Sequence, residues 1–154
     1  MALKDIKLGK TIDEIQEGDS LTVTEIIETR DVLLYLGLTN DDNPLYVQYD
    51  YSQETTYHKP LVPTVLLVGI ITSNISKHLP GPGSHIVDLS IDLIEPIYHN
   101  ITITFDFTVK RLDERREQVT IFVEGNTLDG ERLVEAELIV ATPQKLHFPD
   151  EDEE

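Results

Sequence analysis

The sequence predicts an α+β domain in which an antiparallel sheet wraps around one long central helix. Three observations lead there. One segment, Lys59 to Leu79, is long and apolar enough to be a buried helix. Four runs of alternating apolar and polar residues follow it, and a strand and a shorter helix precede it. With 154 residues the chain has room for one domain with a sizeable core. We read residues 1–148 as that domain and residues 149–154 as an acidic tail, where Asp150 to Glu154 follow Pro149. So many like charges without apolar partners favour a solvated terminus over a packed one.

The elements follow in order. Ser20 to Ile27 is rich in β-branched residues and alternates at first, as a strand does. Thr29 is expected to cap a helix through about Leu38, with Val32, Leu33, Tyr35, Leu36 and Leu38 supplying its apolar face. Asn40 to Pro44, a cluster of turn formers, then ends that helix. In the Lys59 to Leu79 segment, Pro63 suits a first helical turn because it has no N–H to leave unpaired. Val65, Leu66, Leu67, Val68, Ile70, Ile71 and Ile75 are apolar almost all round, and Pro80-Gly81-Pro82-Gly83 stops the helix. The strands follow at Ser84 to Ile94, Ile101 to Val109, Gln118 to Glu124 and Arg132 to Thr142. Asp129-Gly130 marks a short hairpin between the last two.

Composition excludes several functions. The formal charge is −17, from 29 acidic and 12 basic residues. Such a field repels nucleic acid and anionic membranes, so neither is an expected partner. An anionic ligand would need a local Lys or Arg, and the pairs Lys110-Arg111 and Arg115-Arg116 are candidates if they border a cleft. The absence of cysteine removes disulfides, thiolate metal sites and a cysteine nucleophile, and fits a reducing cytoplasm. Leu61 to Ile71 is broken by Pro63 and Thr64 and is too short to span a bilayer, and no signal-like apolar stretch follows Met1. His78, His85, His99 and His147 lack ligand spacing, so no metal is expected. Phosphate loops, serine elbows and dinucleotide fingerprints are also missing.

The segment Asp41-Asp42-Asn43-Pro44-Leu45-Tyr46 resembles the active-site stretch of the MaoC-like (R)-specific enoyl-CoA hydratases, which have the hot-dog fold. That stretch reads aspartate, any residue, asparagine, proline, an aliphatic, histidine. The resemblance continues in order through Tyr49-Asp50-Tyr51-Ser52, Lys59 to Thr64, Leu79 to Ser84 and Glu95 to Asn100. It implies a single hot-dog domain that binds acyl-CoA or acyl-carrier thioesters. It also implies at least a homodimer, or a higher oligomer of dimers. No cofactor is implied, coenzyme A entering only as part of the thioester. In the family an aspartate and a histidine share the proton work of adding water, and an amide at the helix start receives the carbonyl charge.

Carried onto this sequence, the resemblance gives Asp41 and Tyr46 as the catalytic pair and Asn43, Pro63 and Thr64 as substrate-binding residues. Two of the three catalytic elements depart from the pattern. Tyr46 stands where the family has histidine, and a phenol of pKa about 10 is a poor base at neutral pH. Pro63 and Thr64 stand where it has histidine and glycine. Weak or altered hydration is therefore expected; the alternatives are a thioesterase and a non-catalytic subunit of a hot-dog hetero-oligomer. Without the resemblance Asp41 reads as a turn aspartate and Tyr46 as a core or interface aromatic; the resemblance puts His58 at a glycine-like loop position, as a surface histidine. His99-Asn100 reads as a turn variant.

Overall fold

The computed structural model describes residues 5–147. It contains strand β1 (Ser20–Ile26), helices α1 (Thr29–Thr39), α2 (Tyr49–Gln53) and α3 (Thr64–Lys77), then β2 (His85–Leu93), β3 (Thr102–Asp113), β4 (Gln118–Thr127) and β5 (Arg132–Ala141). The strands form one five-stranded sheet in the order β1-β3-β4-β5-β2, with every neighbouring pair antiparallel. This is the α+β hot-dog arrangement that the sequence predicts. The tail expected at 149–154 lies outside the described residues. Among the described residues no helix is long and apolar enough to cross a membrane.

Alternation along β3 to β5 decides which face of the sheet is covered. Ile103, Phe105, Phe107 and Val109 of β3 share a buried cluster with Val119, Ile121 and Val123 of β4. Val134, Ala136, Leu138 and Val140 of β5 complete that layer. Helix α3 contributes Leu67, Ile71 and Ile75, spaced four apart so that they form one stripe. The helix is buried or half-buried on most sides, as its composition suggested, and its exposed stripe carries Val65, at 62% exposed, with Gly69 and Ser76. Apolar residues therefore continue onto its outer face.

Two helix starts differ from expectation, each for a local reason. Helix α3 begins at Thr64 with Pro63 as its N-cap, and residues 59–63 are not helical. A proline disfavours the helical region for the residue before it, so Pro60 and Pro63 hold Lys59 and Val62 out of the helix. The freed strap pairs sideways, with Val62 N–H donating to Ile97 O at 2.8 Å and Leu61 bridging Tyr98. Helix α1 is capped by Glu28 rather than Thr29, whose own N–H donates to Asn100 Oδ1 at 3.2 Å. Only Val32 and Leu36 of α1 are buried, with Tyr35 half-buried beside them. Leu33 and Leu38 are 50% and 86% exposed, because they fall off that stripe.

The Asp129-Gly130 hairpin is present, with Gly130 at φ +87° and its N–H donating to Thr127 O at 3.0 Å. Gly125 has a different task. A Cβ there would lie 2.5 Å from Val134 Cγ1 and 3.1 Å from Phe105 Cε1, so the core closes directly onto its backbone. Gly125→Ala should lower unfolding free energy by about 1–3 kcal/mol through overpacking, measured by urea denaturation. A variant as stable as the parent would show that this layer can spread to admit a methyl group.

Candidate active site

The end of α1 sets the site's first wall. Asn40 adopts the left-handed conformation (φ 55°, ψ 40°), and both its N–H and that of Asp41 donate to Leu36 O. Two side chains then fold the following turn in series. Asp41 Oδ1 accepts the Asn43 N–H at 3.0 Å, and Asn43 Oδ1 accepts the Leu45 N–H at 3.0 Å. Pro44 to Tyr46 forms one turn of 3-10 helix, closed by Tyr46 N–H on Asn43 O at 3.1 Å. Leu61 N–H donates to Leu45 O at 3.0 Å and fastens this turn to the strap before α3.

Between the turn and α3 lies a cleft of about 350 Å³. Its walls include Tyr46, Tyr57 and Leu61 on one side and Thr64 and Leu67 from the start of α3. Leu93, Ile94, Glu95 and Ile97 complete it from the segment after β2. The structure thus brings Tyr46 and Thr64 together. Asp41 and Asn43 are half-buried one turn back and are not among the cleft's walls. Pro63 is buried as the helix cap and does not line the cleft either. The first helical amide with a partner is Leu67, whose N–H donates to Pro63 O at 3.3 Å. The amides of Thr64, Val65 and Leu66 precede it, at the positive end of the helix dipole.

Sequence reasoning missed Tyr57 and Glu95. Glu95 is the one carboxylate in the cleft wall, and its backbone N–H reaches Leu133 O at 3.3 Å. Neither residue belongs to a motif with its own chemistry, and only the fold brings them to the cleft. His58 is exposed at φ 67° and lies outside the cleft wall, as a surface histidine would. The basic pairs do not border the cleft. Arg111 pairs with Glu137 at 3.3 Å and Arg116 with Asp113 at 3.9 Å, around a separate hollow. Among the described residues no group of three or more histidines and carboxylates is placed to hold a metal ion.

His99-Asn100 is a structural tie. His99 Nε2 lies 3.1 Å from Leu61 O, which can only accept, so that nitrogen carries the proton. In the neutral ring Nδ1 then accepts from Thr29 Oγ1 at 3.1 Å. Asn100, at φ 65°, donates its N–H to Ile27 O at 2.7 Å while its side chain receives Thr29 N–H. The start of α1 and the strap before α3 are thereby fixed to one turn.

Comparison with known proteins bears on this arrangement. The chain is 32% identical over 133 residues to an (R)-specific enoyl-CoA hydratase from Rhodospirillum rubrum, covering 86% of this chain and 92% of that protein. The chain belongs to the MaoC-like (R)-specific enoyl-CoA hydratase family. No family model matches the sequence. Its fold superposes on the unliganded R-hydratase PhaJ1 from Pseudomonas aeruginosa with a TM-score of 0.81 at 19% identity, covering 92% of this chain and 93% of that one. It also superposes on a chain of the ChsH1-ChsH2 complex from Mycobacterium tuberculosis, with a TM-score of 0.74 at 18% identity, covering 82% of this chain and 98% of that one. In this family member Tyr46 faces the cleft from the turn that ends the Asp41 to Tyr46 segment.

Asn100→Ala should destabilise the fold by about 1–2 kcal/mol, losing a cap acceptor and putting at positive φ a residue that adopts that conformation less readily than asparagine. Asn100→Gly should cost less, since it relieves the backbone and loses only the cap. Thermal unfolding of the two variants beside the parent separates the contributions. Equal melting temperatures for all three would remove the tie's importance.

Proposed function

We propose that the protein binds acyl-CoA or acyl-carrier thioesters in this cleft and hydrates enoyl thioesters only weakly. The observation that carries the reading is the shared cleft of Tyr46 and Thr64, in a chain of the hydratase family. Addition of water puts hydroxide on C3 and a proton on C2. In this reading Asp41, one turn behind the cleft wall, acts through the attacking water: the carboxylate oxygen not used by the Asn43 N–H takes the water's proton as hydroxide adds to C3, and that proton is returned to C2. Charge that builds on the thioester oxygen meets the amide end of α3 at Thr64. An imidazole at position 46 would complete the proton transfer. The phenol of Tyr46 can orient water or substrate by a hydrogen bond but is a weak base. Thr64 also narrows the approach that glycine would leave open.

Hydration of crotonyl-CoA, followed by loss of the enoyl thioester absorbance, tests this reading. Tyr46→His should raise the rate by about 10²-fold or more, and adding Asp41→Asn should remove that gain. A parent protein already as fast as the histidine variant would overturn the weak-catalysis reading.

A partner-subunit reading has its own support. Strand β2 is an edge of the sheet, and Val87, Leu93 and the adjoining Ile94 are 45%, 47% and 47% exposed. An apolar unpaired edge is a template for another strand. The ChsH1-ChsH2 structure, one chain of which has this fold, is a complex. In our reading β2 pairs with β2 of a second copy, or with another hot-dog chain, to extend the sheet. Sedimentation at micromolar concentration should give the mass of a dimer or of a dimer multiple. A monomer would count against pairing with itself, and co-purification with a histidine-bearing hot-dog chain would mark the hetero-oligomer.

A further inference from the structure

A second hollow, of about 300 Å³, adjoins the strap on which the cleft is built. Thr29, Tyr49, Lys59, Tyr98, His99 and Asn100 are in its wall. The geometry points to this hollow as the seat of a phosphate group on the thioester's handle, with Lys59 as its cationic partner. This assignment rests on the thioester reading of the cleft and extends it to the other end of the ligand.

Charge singles the hollow out. In a chain with 29 acids and 12 bases, four other surface hollows each include a carboxylate, such as Glu95, Asp113, Asp88 or Asp13. The hollow at Lys59 has none in its wall. Among the described residues Lys59 forms no ion pair, as is also true of Lys77, Lys110 and Arg115, and of these Lys59 alone is in the hollow's wall. The Lys59 ammonium is therefore the unspent positive charge beside the cleft.

The other donors narrow the assignment. Thr29 N–H is taken by Asn100, so the end of α1 is not the anion's partner. Both His99 ring nitrogens are engaged, and Tyr98 donates its hydroxyl to Tyr57 O at 2.9 Å. What remains is Lys59 together with the half-exposed phenol of Tyr49, a cation and a neutral donor suited to phosphate oxygens.

Position supports the same conclusion. Tyr57 and Leu61 line the cleft while Lys59 and Pro60 line the hollow. Lys59 is two residues from each of those cleft residues, so its Cα lies no more than about 7 Å from either. The phosphate of a pantetheine thioester sits at the far end of a flexible arm, outside the acyl cleft but tethered to it. Pantetheine phosphate belongs equally to coenzyme A and to an acyl carrier, whereas the nucleotide phosphates belong to coenzyme A alone.

Calorimetric binding of three saturated probes tests the assignment: butyryl pantetheine, butyryl phosphopantetheine and butyryl-CoA. The parent should prefer the phosphate-bearing probes, and in Lys59→Gln that preference should fall by about fivefold. In Lys59→Glu it should fall further. A fall with both phosphate-bearing probes assigns Lys59 to the phosphate common to both handles. A fall with butyryl-CoA alone assigns it to the nucleotide, and both results support the hollow as an anion seat. The inference is overturned if the variants weaken all three probes alike, or leave the preference unchanged. If the parent binds none of the probes, the thioester reading fails and takes this inference with it.

Discussion

Leu67, Ile71 and Ile75 seat α3 in the curve of the sheet, and the candidate site is arranged around that helix's first turn. Full burial of each such side chain contributes about 1.5–3 kcal/mol, enough to hold the helix against the strain of a short, proline-punctuated approach. Because Pro60 and Pro63 keep the preceding strap extended, the helix cannot grow backwards into the cleft. Its first amides are left facing a space instead of a preceding turn. The strap is held by Val62 on Ile97, Leu61 on Leu45 and His99 on Leu61. Three separate parts of the chain therefore agree on where the helix begins.

The opposite wall is built by polar side chains acting on backbone. Asp41 and Asn43 each accept an amide two residues ahead, and the resulting turn delivers Tyr46 to the cleft. Asp41 thus has a structural task whether or not it moves a proton. A carboxylate committed to a turn keeps one oxygen for chemistry, which suits a base that must also hold still. Of the positions that the resemblance marks as departures, Tyr46 reaches the cleft from this turn and Thr64 from the first turn of α3, while Pro63 stays behind as the helix cap.

Much of the architecture was legible in the sequence because its signals are periodic. Alternation in β3, β4 and β5 maps directly onto the buried layer, and Asp129-Gly130 marks a hairpin that is present. Helix faces were harder. Of the seven apolar positions in α3, six are buried or half-buried as expected and Val65 is not, because composition does not reveal which apolar residue faces outward. Leu33 and Leu38 of α1 were misplaced for the same reason. The site was legible where a local motif builds it, as at Asp41 to Tyr46. It was not legible at Tyr57 and Glu95, which reach the cleft only through pairing of the strap and the segment after β2. Nor does alternation reveal that β2 crosses the sheet to pair with β5.

Leu93 and Ile94 belong at once to the cleft wall and to the exposed end of the sheet's edge strand. A body that lies along that edge therefore also touches whatever occupies the cleft. Filling one place and covering the other are then thermodynamically linked, and where one favours the other, reciprocity requires that the second favour the first by the same factor. Affinity measured in dilute solution would consequently depend on how much protein is present, and substrate would act as an assembly factor for its own binding site.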